Sequence, residues 1–565
     1  MKKTVLYIFI FTSFSFFGQV QYPKKDFRSP VDIPIVLAGT FGELRSNHFH
    51  SGIDIKTQRK EGLNIYAAAD GYVSRIKVAL WGYGKVIYIT HPNGYTTVYA
   101  HLSKFGKGIE RYVKKIQYKK ESYETGNIFL KEGEIPVKKG QIIAYSGSTG
   151  GFVAPHLHFE IRNTKTEFVI NPMLFGFVPK DTISPKIKGL FVYPLSDSSR
   201  IGQSTRKRIL PLKKQGKNSF TTNRISAYGS IGFGVQAHDQ LNNALNKNGL
   251  YSLELKVNGH KTYHHNLETF SFAESKYINL LIDYQHKAKY RSSYQRTFKI
   301  DGNKLSIYKS LINNGILSVK NGYNYAVKIT AKDFVGNKST INIPVRGVPS
   351  NAIFQSKKDT TAYKITKSKF QKFSIDNVNV AFPKNTFYED LYLDFSLRNG
   401  IVTVHKPEVP LNKSYTLTFD VSKYSDIDKK HMYIANVSNK KFPSYVFTRK
   451  KKSKFYTSTK ALGKFTLLKD NEKPTIKLKY FKSGQWITKH KTLSVRINDT
   501  KTGIKSYRAT IDGKWILMEY DLKRKTLVYD FSDRKLIGAK HEFKIEVQDN
   551  VGNTNMLKAT FYKKQ

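Results

Sequence analysis

Residues beyond position 179 alternate apolar and polar side chains with a period of two, and polar turns separate the alternating runs. The runs 253–257 and 507–511 are examples, and an Asn-Gly or Asp-Gly pair comes directly after each. A period of two places successive side chains on opposite faces of a strand, and these pairs favour hairpin turns. Since no long helical period interrupts the pattern, the sequence predicts an all-β fold.

The first third of the chain contains the same alternation, here combined with histidines and acids. Apolar residues flank Asp54 on both sides, which predicts a strand with the carboxylate on its polar face. In residues 156–161, His156, His158 and Glu160 alternate with apolar residues. Both histidines should therefore project side by side from one face of a second strand.

These runs supply the residue types that a hydrolytic metal site needs. A catalytic zinc ion usually takes three nitrogen or carboxylate ligands and leaves one position for water, whose pKa the metal lowers to about 7. The segments 50–54, 99–102 and 156–160 contain one aspartate and four histidines, two more than the ligand set requires. Spacing alone does not decide between His156 and His158, because histidines two apart on a strand can both reach one metal.

Taken together, the segments resemble the lysostaphin/LytM-type zinc metallopeptidases, the M23 family of peptidoglycan endopeptidases. The resemblance covers about residues 31–179, and the order of the intervening segments also matches. Residues 82–85 open a strand, Asn93-Gly94 turns a hairpin, and a Val-Lys-Lys-Gly-Gln run leads to residues 146–150. The resemblance implies an antiparallel β-sheet peptidase domain of the LytM, duplicated-hybrid-motif-like type.

Position by position, the resemblance implies that His50, Asp54 and His158 hold one Zn²⁺ ion, while His101 and His156 are catalytic. It further implies a zinc metalloendopeptidase that hydrolyses peptide cross-links or bridges of peptidoglycan with a zinc-activated water. The alternative is a non-catalytic LytM-type protein that binds peptidoglycan or activates an amidase. Because all five positions are filled, the sequence favours the enzyme.

Two segments depart from the family pattern. Some relatives place an additional tyrosine just before the first ligand histidine, but residues 41–49 contain none, which leaves Arg45, Asn47 or no residue in that role. A lysine-rich insertion with several tyrosines lies between His101 and Val137, where relatives usually have a short connection. It would form either a lid or groove wall, or a solvated hairpin beside the site.

Composition bears on location and partners. Residues 1–20 have the form of a signal peptide, and the apolar run within them is too short to span a membrane. We expect an exported protein, periplasmic, bound to the cell envelope or secreted, with no transmembrane segment once the signal is removed.

The chain has no cysteine, which excludes thiol catalysis and disulfides. Its formal net charge of +53 suits anionic cell-envelope polymers, whereas export argues against nucleic acid.

Turn-rich linkers predict four domains after the signal peptide. They are the peptidase domain at 22–179, an Ig-like β-sandwich with an insertion at 183–348, a β-rich domain at 350–468 and a second Ig-like β-sandwich at 472–563. The two sandwiches are recognised as an internal repeat, because each ends with an Asp-x-x-Gly-Asn turn, at residues 333–337 and 549–553.

Overall fold

The computed structural model describes residues 21–151, 154–349 and 360–564, and the predicted signal peptide lies outside these ranges. Strands dominate the described residues, and their sheets enclose four main hydrophobic clusters. The prediction of an all-β fold is therefore confirmed. None of the helices in these ranges reaches the length and apolarity needed to cross a membrane.

The first unit contains twelve strands and the site described below. Its strands are Leu37–Gly39, Ile53–Lys56, Asn64–Tyr66, Gly71–Val78, Lys85–Thr90, Tyr95–Leu102, Lys104–Phe105, Gly126–Phe129, Pro136–Val137, Ile142–Tyr145, His156–Asn163 and Val169–Ile170. In the main sheet the strand His156–Asn163 runs antiparallel to both Ile53–Lys56 and Tyr95–Leu102. The register places His158 opposite Asp54 on one side and opposite Ala100 on the other.

The insertion after His101 forms the helix Lys107–Lys120, rather than a hairpin. Ile109, Val113 and Gln117 recur at intervals of four residues and are buried, so one stripe of the helix faces the protein. Ile109 and Val113 join the hydrophobic cluster of the first unit. The many lysines lie around this buried stripe, which explains why the segment looks solvated in the sequence.

The second unit has fourteen strands around its own hydrophobic cluster. They are Lys186–Pro194, Arg200–Ile201, Arg208–Ile209, Lys213–Gly216, Ser219–Thr221, Ile225–His238, Ser252–Val257, His260–Asn266, Thr269–Phe270, Gln295–Arg296, Tyr308–Leu311, Leu317–Val319, Asn324–Lys332 and Lys338–Gly347. Three short helices, Phe272–Ser275, Ile278–Leu281 and Tyr284–Tyr290, lie in the insertion of this unit, which we define as residues 267–307.

In the third unit, two five-stranded sheets enclose a third cluster. Its strands are Lys364–Ile365, Gln371–Ile375, Val378–Phe382, Leu391–Tyr392, Phe395–Arg398, Ile401–Val404, Tyr415–Asp420, Met432–Asn436, Ser444–Tyr445, Arg449–Lys451, Lys454–Thr459 and Gly463–Lys469. The helix Asp426–His431 joins two of them.

The carboxy-terminal unit packs a four-stranded sheet on a five-stranded one. Its strands are Thr475–Lys479, Gln485–Trp486, Thr492–Asn498, Ile504–Ile511, Lys514–Trp515, Glu519–Asp521, Thr526–Asp530, Lys540–Asp549 and Thr554–Tyr562. The strands Ile504–Ile511, Lys540–Asp549 and Thr554–Tyr562 pair in that order. The corresponding strands of the second unit pair in the same order, so the sequence repeat corresponds to a repeated arrangement of strands.

Two later segments pack directly on the first unit. Strand Thr269–Phe270 of the insertion pairs with Val169–Ile170 and so extends the main sheet. Trp515 and Leu517 of the carboxy-terminal unit belong to the hydrophobic cluster of the first unit. The first unit is therefore held between the insertion 267–307 and the carboxy-terminal unit.

Candidate metal centre and adjoining groove

Three side-chain atoms from two neighbouring strands and the loop before them converge on one point. His50 Nε2 lies 3.0 Å from Asp54 Oδ1 and 3.0 Å from His158 Nδ1, and the last two atoms are 2.9 Å apart. All three side chains are buried. Ligands placed tetrahedrally about zinc at roughly 2.0–2.1 Å would lie about 3.3 Å from one another, close to this spacing.

The outer nitrogens of the two histidines determine what faces the centre. His50 Nδ1–H donates to the carbonyl oxygen of Thr40 at 2.8 Å, and His158 Nε2–H donates to Glu160 Oε1 at 2.8 Å. In neutral rings the inward nitrogens therefore carry lone pairs, and both face a carboxylate oxygen. Donation of the outer N–H to a carbonyl or carboxylate is the usual arrangement of metal-bound histidine. The donor set thus fits a zinc ion.

The electrostatics of the centre also favour a cation. Burial opposes the charged form of Asp54, but His50 and His158 outweigh it and hold the pKa of Asp54 well below its usual range. Burial likewise lowers the pKa of His158, yet the hydrogen bonds to Asp54 and Glu160 prevail and raise that pKa to about 9. Without metal the centre therefore keeps a proton where a metal ion would bind.

Glu160 supports His158 from the side opposite Asp54. Its carboxylate is fully buried, and Oε1 also accepts hydrogen bonds from Ser51 Oγ at 2.6 Å and from the hydroxyl of Tyr83. Arg162 Nε donates to Oε2 at 2.7 Å, and the charge of Arg162 keeps the pKa of Glu160 below its usual range despite burial. The carboxylate therefore stays ionised and fixes the orientation of the His158 ring.

We expect Glu160→Gln to weaken zinc binding by about 10–100-fold, the usual effect of losing a carboxylate that orients a ligand histidine. Zinc affinity is measured by competition with a chelator of known strength. Glu167→Gln is the matched control, because Glu167 also pairs with Arg162 but its side chain is half exposed. Equal affinities of the two variants would show that Glu160 does not act through His158.

His101 and His156 lie beside the three converging side chains. Their Nδ1–H groups donate to the carbonyl oxygens of Thr149 and Ala154, both at 2.9 Å, so in the neutral rings Nε2 carries the lone pair. The two ring centroids are 4.8 Å apart, and His156 Nε2 is 3.7 Å from Asp54 Oδ1. Burial lowers the pKa of His101 to about 3 and also lowers the pKa of His156, which keeps both rings neutral.

The backbone of His101 has a φ of +61°, a left-handed conformation that costs a residue with a side chain about 1–3 kcal/mol. Its N–H donates to the carbonyl oxygen of Tyr83 at 3.0 Å, which holds the strand in this conformation. Strain of this kind concentrates at functional sites, where it fixes the direction of a side chain.

Arg45 and Asn47, the alternatives for the missing tyrosine, point to different places. Arg45 Nη2 lies 3.3 Å from Asp54 Oδ2, the oxygen that does not face the histidines. Asn47 Oδ1 instead accepts a hydrogen bond from Asn279 in the insertion 267–307 at 2.9 Å. Of these two side chains, Arg45 contacts the site residues.

The insertion 267–307 supports the loop that carries His50. Phe270 packs against Phe41 and Phe49, with ring centroids 4.9 and 5.2 Å apart, and Ser275 Oγ accepts the N–H of Phe49 at 2.7 Å. The position of His50 therefore depends on residues more than two hundred positions away along the chain.

A groove of about 470 Å³ is lined by Thr149, which accepts the Nδ1–H of His101, and by Pro155, which directly precedes His156. One wall contains residues 148–151 and Pro155, and the other contains residues 519–524 of the carboxy-terminal unit. Tyr123, from the segment after the helix Lys107–Lys120, also lines the groove. This segment therefore contributes to a groove wall, the first of the two roles expected for the lysine-rich insertion.

Polar and aromatic contacts fix the carboxy-terminal unit in this position. Lys85 Nζ, almost fully buried, pairs with Glu519 at 2.8 Å. Trp515 meets the edge of Tyr118 with ring centroids 5.2 Å apart. Lys114 forms an ion pair with Asp533.

Sequence reasoning missed several of the supporting side chains. Glu160 carried a signal, because it shares the polar face of its strand with His158. Arg162 carried the same signal, because it lies two residues after Glu160 on the same strand. Ser51 and Tyr83 carried none, because their contacts with Glu160 join separate segments that meet only in the folded protein.

The converging side chains form a candidate metal site, and comparison with protein families gives the class that the first unit resembles. Residues 48–127 match peptidase family M23, and residues 362–470 match the Zu5-like domain. The M23 match lies within the first unit, as the sequence motifs predict.

The chain is similar to the DD-carboxypeptidase/endopeptidase Mpg of Neisseria meningitidis, with 34% identity over 119 residues that cover 21% of each protein. It is also similar to the peptidoglycan DD-endopeptidase ShyB of Vibrio cholerae, with 32% identity over 162 residues, 28% of this chain and 31% of ShyB. Among solved structures, the catalytic domain of lysostaphin from Staphylococcus simulans matches 25% of this chain and 91% of that domain, with 26% identity and a TM-score of 0.19. The chain thus spans between a fifth and a third of the length of these two curated relatives.

Proposed function

We propose that this protein is an exported zinc metalloendopeptidase that hydrolyses peptide cross-links or bridges of peptidoglycan. The observation that carries the proposal is the convergence of His50, Asp54 and His158, with both outer ring N–H groups donated away from the centre. Inward acceptors with their outer N–H groups donated to a carbonyl and a carboxylate are the usual arrangement of metal-bound histidines, which supports a metal ion at this centre.

In this proposal His50, Asp54 and His158 would hold one zinc ion, which would supply Lewis-acid chemistry for activating water and polarising the scissile carbonyl. His101 and His156 move the proton. Their Nδ1–H groups are donated to backbone carbonyls, so each Nε2 can accept a proton from the attacking water and return it to the leaving amine. Arg45 holds the outer oxygen of Asp54, and Glu160 holds the ring of His158.

The substrate class rests on the relatives and on the groove. Mpg and ShyB are named as DD-endopeptidases, and ShyB as one that acts on peptidoglycan. A groove of about 470 Å³, lined by residues of both the first and the carboxy-terminal units, has room for part of a peptide. Because residues 519–524 form one wall, the carboxy-terminal unit takes part in substrate selection as well as in any binding to the cell wall.

Charge supports the same setting. The formal net charge of +53 attracts anionic cell-envelope polymers, and this attraction weakens as salt screens it. We therefore expect the retention of the protein on isolated cell envelopes to fall several-fold between about 0.05 and 0.5 M salt, while zinc content stays constant. Retention is measured by co-sedimentation. Small basic proteins, which bind the envelopes through their positive charge alone, serve as the comparison.

The deciding experiment is digestion of purified peptidoglycan by the zinc-loaded protein, with Asp54→Ala as the control and mass spectrometry of the fragments. Loss of cross-linked species with the wild-type protein and none with the variant would establish the endopeptidase and identify its bond. If cross-links stay intact with a folded, zinc-loaded protein that binds peptidoglycan, the non-catalytic LytM-type alternative is correct.

A further inference from the structure

Three aspartates from separate segments meet at the junction of the first and second units. Asp181 lies in the connection between these units, Asp239 follows the strand Ile225–His238, and Asp333 follows the strand Asn324–Lys332. Each contributes a carboxylate oxygen within 4.8 Å of the other two. Carboxylates this close repel one another, and burial together with Asp333 and Asp181 raises the pKa of Asp239 to about 7. Either a proton on Asp239 or a cation between the carboxylates relieves this repulsion.

The oxygens of this cluster are incompletely satisfied. Asp239 is 2% exposed, and neither its Oδ1 nor the buried Oδ2 of Asp181 has a hydrogen-bond partner among the described residues. The groups that do donate to the cluster are neutral. Asp333 Oδ1 accepts the backbone N–H groups of Gly336 and Asn337, Asp333 Oδ2 accepts the side-chain amide of Asn337, and Asp181 Oδ1 accepts the N–H of Ile183. The negative charge therefore remains uncompensated by these bonds.

All three aspartates line one small cavity of about 20 Å³. A space of about 10–15 Å³ is enough for one water molecule, so the cavity has room for a single ion. The oxygens without hydrogen-bond partners thus border a space that is large enough for one cation. Such a cation would balance their negative charge.

Asn248 adds a neutral oxygen at the same place. It is the antiparallel bridge partner of Asp239, with N–H···O bonds of 3.0 and 2.9 Å in the two directions. Residues paired in this way present their side chains on the same face. Asn248 is 2% exposed, and both polar atoms of its amide are buried without a partner in the described part of the chain.

We propose that Asp181, Asp239 and Asp333, with the amide oxygen of Asn248, form a calcium site that joins the peptidase domain to the second unit. An all-oxygen set of three carboxylates and an amide suits Ca²⁺, whereas zinc prefers nitrogen and sulfur ligands. Thr40 also lines the cavity, and its carbonyl oxygen accepts the ring Nδ1–H of His50. The ion would therefore stiffen the junction directly behind the zinc centre.

The carboxy-terminal unit contains the equivalent triad, Asp470, Asp499 and Asp549, at the matching positions of the repeat. Unlike the unpartnered oxygens of the first triad, the carboxylate oxygens of this second triad accept hydrogen bonds. Asp470 Oδ2 accepts a hydrogen bond from Thr502 at 3.1 Å, and Asp499 Oδ1 accepts three backbone N–H groups. We assign calcium to the first triad alone, and the second serves as its internal control.

The test is isothermal titration calorimetry of Ca²⁺ into the full-length, zinc-saturated protein. We expect one site with a dissociation constant below about 1 mM. Asp239→Asn should weaken it at least about 30-fold, and the matched variant Asp499→Asn should leave it unchanged. No heat of binding up to about 5 mM Ca²⁺ would overturn the proposal, as would loss of binding in Asp499→Asn with retention in Asp239→Asn.

Thermal unfolding gives a second, independent measurement. Saturating Ca²⁺ should raise the Tm of the wild-type protein by about 5 °C and leave that of Asp239→Asn unchanged. Because Asn removes a buried charge from a repelling cluster, the calcium-free variant should fold and have a Tm no lower than the calcium-free wild type. An equal calcium-dependent shift in both proteins would place the ion elsewhere.

Discussion

Asp54→Ala and His158→Ala should each abolish zinc binding and hydrolysis together, whereas His101→Ala and His156→Ala should keep the zinc and lower kcat by about 10²–10⁴-fold. The geometry supports this proposed division. Asp54 Oδ1 and His158 Nδ1 lie within 3.0 Å of His50 Nε2, whereas His156 Nε2 lies 3.7 Å from Asp54 Oδ1. Zinc content is measured by mass spectrometry of the metal, and kcat by release of peptidoglycan fragments.

His48→Ala is the matched control for these variants. His48 lies two residues before His50, but it is exposed and its Nδ1 bonds to the carbonyl oxygen of Ser46. The His48→Ala variant should therefore keep both its zinc and its activity. A folded but metal-free His156→Ala protein would contradict the assignment and make His156 a ligand.

Trp515→Ala should undock the carboxy-terminal unit from the peptidase domain. Trp515 is 8% exposed, belongs to the hydrophobic cluster of the first unit and packs against Tyr118. Truncating a tryptophan in such a place costs about 3–5 kcal/mol. We expect a lower first unfolding transition and a kcat/KM on peptidoglycan reduced about tenfold or more, because one groove wall is no longer held beside His101 and His156.

The control for this prediction is Trp486→Ala, in the same unit. Trp486 is 52% exposed and is absent from the interface cluster, so its replacement should leave the docking unchanged. The loss of its ring contact with Tyr562 should cost only about 0.5–1.5 kcal/mol. Stability is followed by calorimetry and docking by limited proteolysis of the linker. If both variants behave like the wild type, the carboxy-terminal unit does not contribute to the groove.

The same interface changes what truncation can test. Removing every residue after 179 would delete Phe270, which packs against Phe41 and Phe49 in the loop that precedes and carries His50. It would also delete Trp515 and Leu517. A peptidase domain cut out in this way exposes apolar surface, so point variants at the interface separate targeting from catalysis more cleanly than truncation does.

The sequence predicts which strands carry the candidate site and which face of each strand carries the site residues. Alternation of apolar and polar residues placed Asp54 and His158 on the polar faces of two strands, and the structure pairs them directly. The roles of His101 and His156 came from family resemblance, and they remain proposals. Glu160 could have been found from its position two residues after His158.

The surroundings of the site could not be predicted, for two physical reasons. The helix Lys107–Lys120 buries a stripe with only a few strongly apolar residues, such as Ile109 and Val113, so lysines dominate the local signal. The contacts of Tyr118 with Trp515 and of Lys85 with Glu519 join residues that no local pattern relates. Tertiary packing alone brings these residues to the groove.

The ion pair between Lys85 and Glu519 spans 434 positions of the chain. During synthesis the wall formed by residues 519–524 emerges long after the strands that carry Asp54 and His158. A chain that stops before Glu519 therefore lacks this wall of the groove, even where the strands that carry Asp54 and His158 are complete.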